Sequence, residues 1–527
     1  MNPLFFADLH VHPGMKPSHS LENGVWDNMW KEYAEIKSCG NPLLDCAIKE
    51  MTKYSQTNLQ KCFDSNVLLL FNALYPVELP WFDMRDIGKF FIGKNRRKKI
   101  ARCLTNFSEE TLENMFFEVI EKDHLPVNYF NRLEREYYFV ERESMDISRP
   151  MRILIDFMDY KLWKAKNLQG RAGIASKEIG LILCVEGAHS LLSFPDYKTM
   201  IRCTADVVKE LSWENRQLYQ EMLTANIRKM KSWGNRGTHA PLYITFSHHF
   251  WNLLAGHASS IDIFLLNQSE GKNETITFLG EMAISLLLER TVDGRRILID
   301  MKHFSPIARK RYYEILDELN FSDVPILASH AAVTGIDSGS AEKHEFFNTA
   351  DINLFNEDIL KICTSDGLIG IMMEEGRLVN KSLMKKIKNN YGSKSPAASK
   401  FYAKCVLANI LHIVQIAGSD GWNHVCLGSD FDGMINSLDS FDSVSTYNDL
   451  FKTIRDVLDG QEPIEYPGGA GDDVYAGTFT RELFSIEDIN GLKHGYTTDQ
   501  LINKLAYQNI EYFLSRYFHD QYLKLLA

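Results

Sequence analysis

The stretch "RRILIDMKHFSPIARKRYYEILDELNFSDVPILASH", residues 295–330, decides the reading of the fold. An apolar run (295–303) ends on His303. Ser305 and Pro306 then open an amphipathic stretch (305–320), a favoured helix entry because proline's fixed φ suits the first helical turn. A second apolar run (325–330) ends on His330. Runs without polar alternation suit strands covered on both faces, as in a parallel sheet. The segment therefore reads as strand, helix, strand, with a histidine at the end of each strand.

The same alternation extends in both directions. Further apolar runs lie at 3–10, 67–74, 179–187, 241–249, 367–374 and 424–433, which brings the number to eight. Helical patterns lie at 108–124, 279–294, 399–418 and 497–518. Eight repeats of strand and helix predict an α/β fold, a (β/α)8 TIM barrel. A doubly wound sheet is the rival, but no glycine-rich nucleotide loop follows an early strand. Residues 13–66, 75–178 and 188–240 are too long for single crossovers. They read as large helical insertions on one barrel unit spanning 1–527. The basic stretch 384–400 reads as a solvated loop.

Composition narrows the function. A net charge of −11 and a pI near 5.8 exclude a general nucleic-acid binder, which carries a basic excess. Nine cysteines without a CxxC pair read as small core residues in a reducing compartment. No run of about 18 apolar residues is evident, so no membrane span is expected. The first strand begins within about ten residues of Met1, which leaves no room for a signal peptide and favours a cytoplasmic location.

Active sites of such barrels form at the C-terminal ends of the strands. At those ends stand His10, His12, Glu186, His248, His303, His330 and Asp430. Residues i and i+2 of a strand share a face, so His10 and His12 can hold one ion. The glycine after Glu186 allows a tight exit, and a lone buried carboxylate needs a partner or a metal. Alternation sends one of His248 and His249 inward and leaves the other structural. Asp432 shares the parity of Asp430, although "DFDG" also suits a simple turn. Nitrogen and oxygen donors without cysteine suit zinc. A metal-bound water ionises near neutral pH and becomes a nucleophile, with Asp430 placed as general base and acid.

The segments "DLHVH", "CVEGAHSL", "ITFSHH", "LIDMKHFS", "PILASHAA" and "LGSDFDG", in that order, resemble the membrane dipeptidase family, the renal-dipeptidase-like M19 metallopeptidases of the amidohydrolase superfamily. The resemblance implies a metallo-dependent hydrolase barrel that cleaves dipeptides. His10 and His12 would hold a first zinc ion. His303 and His330 would complete a second site, with Glu186 and a hydroxide bridging the two. His248 would stabilise the anionic oxygen of the tetrahedral intermediate, and Asp430 would carry the proton to the leaving amine. The partner implied is a small peptide or amide, and the family's habit implies a homodimer. Two departures stand out. His12 replaces the family's Asp, which removes one negative charge. No arginine follows His330 to grip the substrate carboxylate, which leaves Lys343 and Arg377 as candidates. An acyl-amino acid, lactone or deaminase substrate is the alternative within the superfamily, and a non-catalytic binding protein is the alternative outside it.

Overall fold

The computed structural model describes residues 3–22, 25–36, 38, 54–83, 86–87, 90–91, 93–122, 124–169, 177–261, 266–460, 462–466 and 481–525. The eight apolar runs form eight strands: β1 (Phe6–Val11), β2 (Val67–Leu74), β3 (Ile179–Glu186), β4 (Tyr243–Thr245), β5 (Leu298–Asp300), β6 (Leu327–Ala331), β7 (Leu368–Ile371) and β8 (Val425–Leu427). They pair in parallel in chain order. Every residue of β2 and β3 is buried, as strands covered on both faces require. A short strand, Met151–Ile153, pairs with the first half of β3, while the last two residues of β3 pair with β4.

The ring closes between its first and last members. The Asp430 N–H donates to the His10 carbonyl at 2.9 Å, and the His12 N–H donates to the Phe431 carbonyl at 3.0 Å. Beneath this seam sits Asp8. Its carboxylate accepts from the Ser429 N–H at 2.9 Å, the Ser429 hydroxyl at 2.6 Å, the His10 N–H at 3.1 Å and the Tyr447 hydroxyl. On the β8 side of this seam β6, β7 and β8 approach closely. A Cβ on Gly370 or Gly428 would lie 1.9 Å from the Ser329 carbonyl, so only glycine fits.

The connecting helices follow the sequence pattern. Ser305 caps the helix Pro306–Glu318 by accepting from the Ala308 N–H. The stretch 384–400 is not a loop: it is largely helical, in Lys381–Tyr391 and the start of Pro396–Ala417. Leu383, Met384 and Ile387 recur at helical spacing and are buried, a signal masked by the surrounding lysines. Also against expectation, one segment, Pro396–Asn423, is long and apolar enough to cross a membrane by composition. Of its apolar window 72% is buried inside the protein, the position of a core helix. The seven described cysteines are free and buried; Cys39 and Cys46 lie outside the described residues.

Asp8→Ala should strand the Ser429 and Tyr447 donors in the core. We expect a loss of about 3 kcal/mol, read as a lower urea midpoint at unchanged slope. An unchanged midpoint would remove Asp8 from the closure.

Candidate functional site

The strand ends bring the expected side chains together. His10 lies within β1 and His12 just past it, both on one face as their spacing requires. Their Nε2 atoms lie 3.4 and 3.0 Å from the two oxygens of Glu186, the last residue of β3. His303 and His330 reach the same carboxylate at 3.8 and 3.6 Å, and their Nε2 atoms are 3.1 Å apart. Asp430 lies 3.4 Å from His12 Nε2 and 4.0 Å from His330 Nε2. His248 Nε2 lies 3.3 Å from Glu186. Glu186 is thus common to one group with His10, His12 and Asp430 and to another with His303 and His330.

The backbone is bent to achieve this. His303 (φ 67°) and Asp430 (φ 62°) both adopt the left-handed conformation. That conformation costs a side-chain-bearing residue about 1–2 kcal/mol, and such outliers gather at functional sites. Gly187 follows Glu186 at φ 89°, where a Cβ would fall 2.2 Å from the His189 ring. The glycine is therefore required for the exit.

These groups carry the charge pattern of a cation site. The Nε2 atoms of His10 and His12 are buried without a hydrogen-bond partner. Burial lowers the basicity of His12, but Glu186 and then Asp430 overcome it and raise the imidazole to about 10. Burial opposes ionisation of Glu186, yet His248, His10 and His12 hold it well below the usual range. Burial and neighbouring histidines keep His303 and His330 neutral, with lone pairs available. A proton held among carboxylates at His12 marks where a divalent ion could supply the positive charge. The all-nitrogen-and-oxygen donor set fits zinc or a similar ion.

A second layer fixes the ligands. The His12 Nδ1 atom faces the Ala73 carbonyl at 3.1 Å. Asp300 accepts from Thr245 and Ser329 at 2.6 Å each, and the Ser329 hydroxyl lies 2.8 Å from His330 Nδ1. Glu78, in the turn after β2, lies 2.7 Å from His248 Nδ1 and accepts from the Phe250 N–H. Burial alone would raise its carboxyl, but His248 and then His189 bring it down to about 2, while Glu186 and Glu78 push His248 up to about 10 against burial. Sequence reasoning missed Glu78; a carboxylate just beyond an apolar run was its only signal. Asp432 belongs elsewhere: it pairs with Lys16 and accepts from the backbone N–H groups of Gln56 and Thr57.

A cavity of about 180 Å³ opens over the cluster, lined by His303, His330 and Asp430. This is below the roughly 300–1,000 Å³ of drug-sized sites and restricts the occupant to a small molecule. Of the two cations considered for the substrate, Arg377 lines the cavity and is 5% exposed, whereas Lys343 is on the surface. His249 also faces the cavity, bonded through Nδ1 to the Ser260 hydroxyl at 2.7 Å. Strand alternation does not govern it, because β4 ends at Thr245. Lys302, beside His303, is a further lining residue that the sequence reading passed over; burial and then Arg377 lower its ammonium to about 7.

A curated relative, an uncharacterized dipeptidase of Schizosaccharomyces pombe, is 24% identical over 208 residues, covering 40% of this chain and 39% of that protein. The chain thus matches about two fifths of the length of that relative. A metallo peptidase from Rhodobacter sphaeroides, solved with a phosphinate mimic of the dipeptide L-Ala-D-Ala, is 12% identical with a TM-score of 0.47, over 98% of this chain and 100% of that one. The probable dipeptidase PvdM from Pseudomonas aeruginosa is 12% identical with a TM-score of 0.44, over 89% of each chain. The barrel assignment stands on strand order, not on those scores. Residues 217–465 match the family profile described as membrane dipeptidase, peptidase family M19.

Proposed function

We propose that the protein is a metal-dependent dipeptidase, hydrolysing the amide of a dipeptide or a similar small amide at the mouth of the barrel. The observation that carries this reading is the convergence of five imidazoles on the single buried carboxylate of Glu186, with Asp430 beside them. His10, His12 and Glu186 would hold one zinc ion, and Glu186, His303 and His330 a second. When bound, such ions polarise a carbonyl and make water a nucleophile near neutral pH.

The chain's own groups supply the rest. Asp430 faces the cavity beside both ligand groups, where its carboxylate can take a proton from water and pass it to the leaving amine. His248 keeps positive charge next to Glu186 because Glu78 anchors its other nitrogen, which suits stabilisation of an anionic oxygen. The cavity of about 180 Å³ suits a small substrate. A second reading, another hydrolase of the amidohydrolase superfamily, is favoured by the exposed position of Lys343 and the absence of an arginine between His330 and Asp351.

Chelation should abolish dipeptide hydrolysis, and zinc should restore it at about two ions per chain. Asp430→Asn should lower kcat roughly 10²–10⁴-fold with metal content retained. Hydrolysis untouched by both treatments would overturn the proposal.

Glu78 predicts a pH dependence in the metal-free protein. Its carboxyl lies at about 2 when folded against an ordinary 4.5, so the native state binds fewer protons across that window. The stability it contributes is complete above about pH 4.5 and lost as the pH falls towards 2. The stability difference between wild type and Glu78→Gln, from urea titrations, should shrink over that range. A constant difference would contradict the assignment.

A further inference from the structure

The cavity wall between the ends of β5 and β7 holds two buried cations. Arg377 has company: its Nη2 donates to the Ser260 carbonyl at 2.6 Å, and its Nε lies 3.4 Å from Glu374. Lys302 does not. It is 3% exposed and lines the cavity, and its ammonium meets the Met372 sulfur at 3.9 Å. Among the described residues no carboxylate comes within ion-pair distance of it. A buried lysine without an anionic partner is costly to keep charged, and an anion entering the cavity would supply the missing partner.

We propose that Lys302 determines specificity, its ammonium binding a carboxylate on the leaving-amine side of the substrate, with Arg377 as the neighbouring cation. The inference rests on the dipeptidase reading above. In a dipeptide the terminal carboxylate is attached one carbon beyond the leaving nitrogen. An amide held over His303 and His330 therefore carries its carboxylate a short distance along the wall. Lys302 directly precedes His303 and lies on that wall, whereas Lys343 is on the outer surface. Lys302 itself has no guanidinium fork. A point charge reads the presence of negative charge more than the plane of a carboxylate.

The test compares a dipeptide with its C-terminal carboxamide in zinc-loaded wild type, Lys302→Met and Lys302→Arg. Binding is also measured by calorimetry on the Asp430→Asn background, where turnover does not interfere. We expect wild type to favour the free carboxylate at least 30-fold in kcat/KM. In Lys302→Met that ratio should collapse at least tenfold, through KM, while Lys302→Arg keeps most of it. The calorimetric preference should fall in parallel, with metal content equal in all three proteins. A merely structural lysine would lower both substrates by one factor and leave the ratio intact, which would overturn the proposal. Equal affinity for the two ligands in wild type, or no binding of either, would overturn it as well. If calorimetry shows the Lys302-dependent preference but no amide is cleaved, the dipeptidase reading fails and the anion site stands.

Discussion

One carboxylate organises this molecule. Glu186 is buried at the end of β3, and imidazoles from β1 and from the ends of β4, β5 and β6 turn towards it. A lone carboxylate at that depth would be untenable. Surrounded by nitrogen donors it becomes the fixed point to which the other strand ends are referred. The tight glycine exit after it and the left-handed turns at His303 and Asp430 are backbone distortions tolerated because they aim side chains at the same point.

The second layer converts proximity into orientation. An imidazole binds a cation through one nitrogen only if the other is held, and the held nitrogen selects the free one. Ala73 and Ser329 do this for His12 and His330, and Glu78 likewise orients His248 beside Glu186. These partners lie on the strands and turns that build the barrel, so the precision of the site is inherited from the rigidity of the sheet.

Much of this was legible in sequence. The apolar runs located all eight strands, and the histidines, Glu186 and Asp430 at their ends located the cluster, because strand ends in a barrel converge whatever the loops do. Other features were hidden. Three-residue strands such as β4 end before the apolar run does, so alternation misjudged His249, which faces the cavity. Lys302 lay in plain view beside His303, but one lysine at the end of an apolar run looks like a surface residue until the fold shows it 3% exposed. Glu78 belongs to a turn whose partner is 170 residues away, a distance no local pattern reports. The helix over 381–391 was obscured by its lysines, which cover a buried apolar stripe.

The seam of the barrel has a consequence for how the protein comes apart. The hydrogen bonds that join β1 to the end of β8 use the main-chain atoms of His10, His12 and Asp430 themselves. Parting those two edges would pull apart the claws of a chelate in the same movement. On the metal-centre reading, a bound ion would hold the ring shut where it closes, because ligand binding to the folded state alone stabilises it.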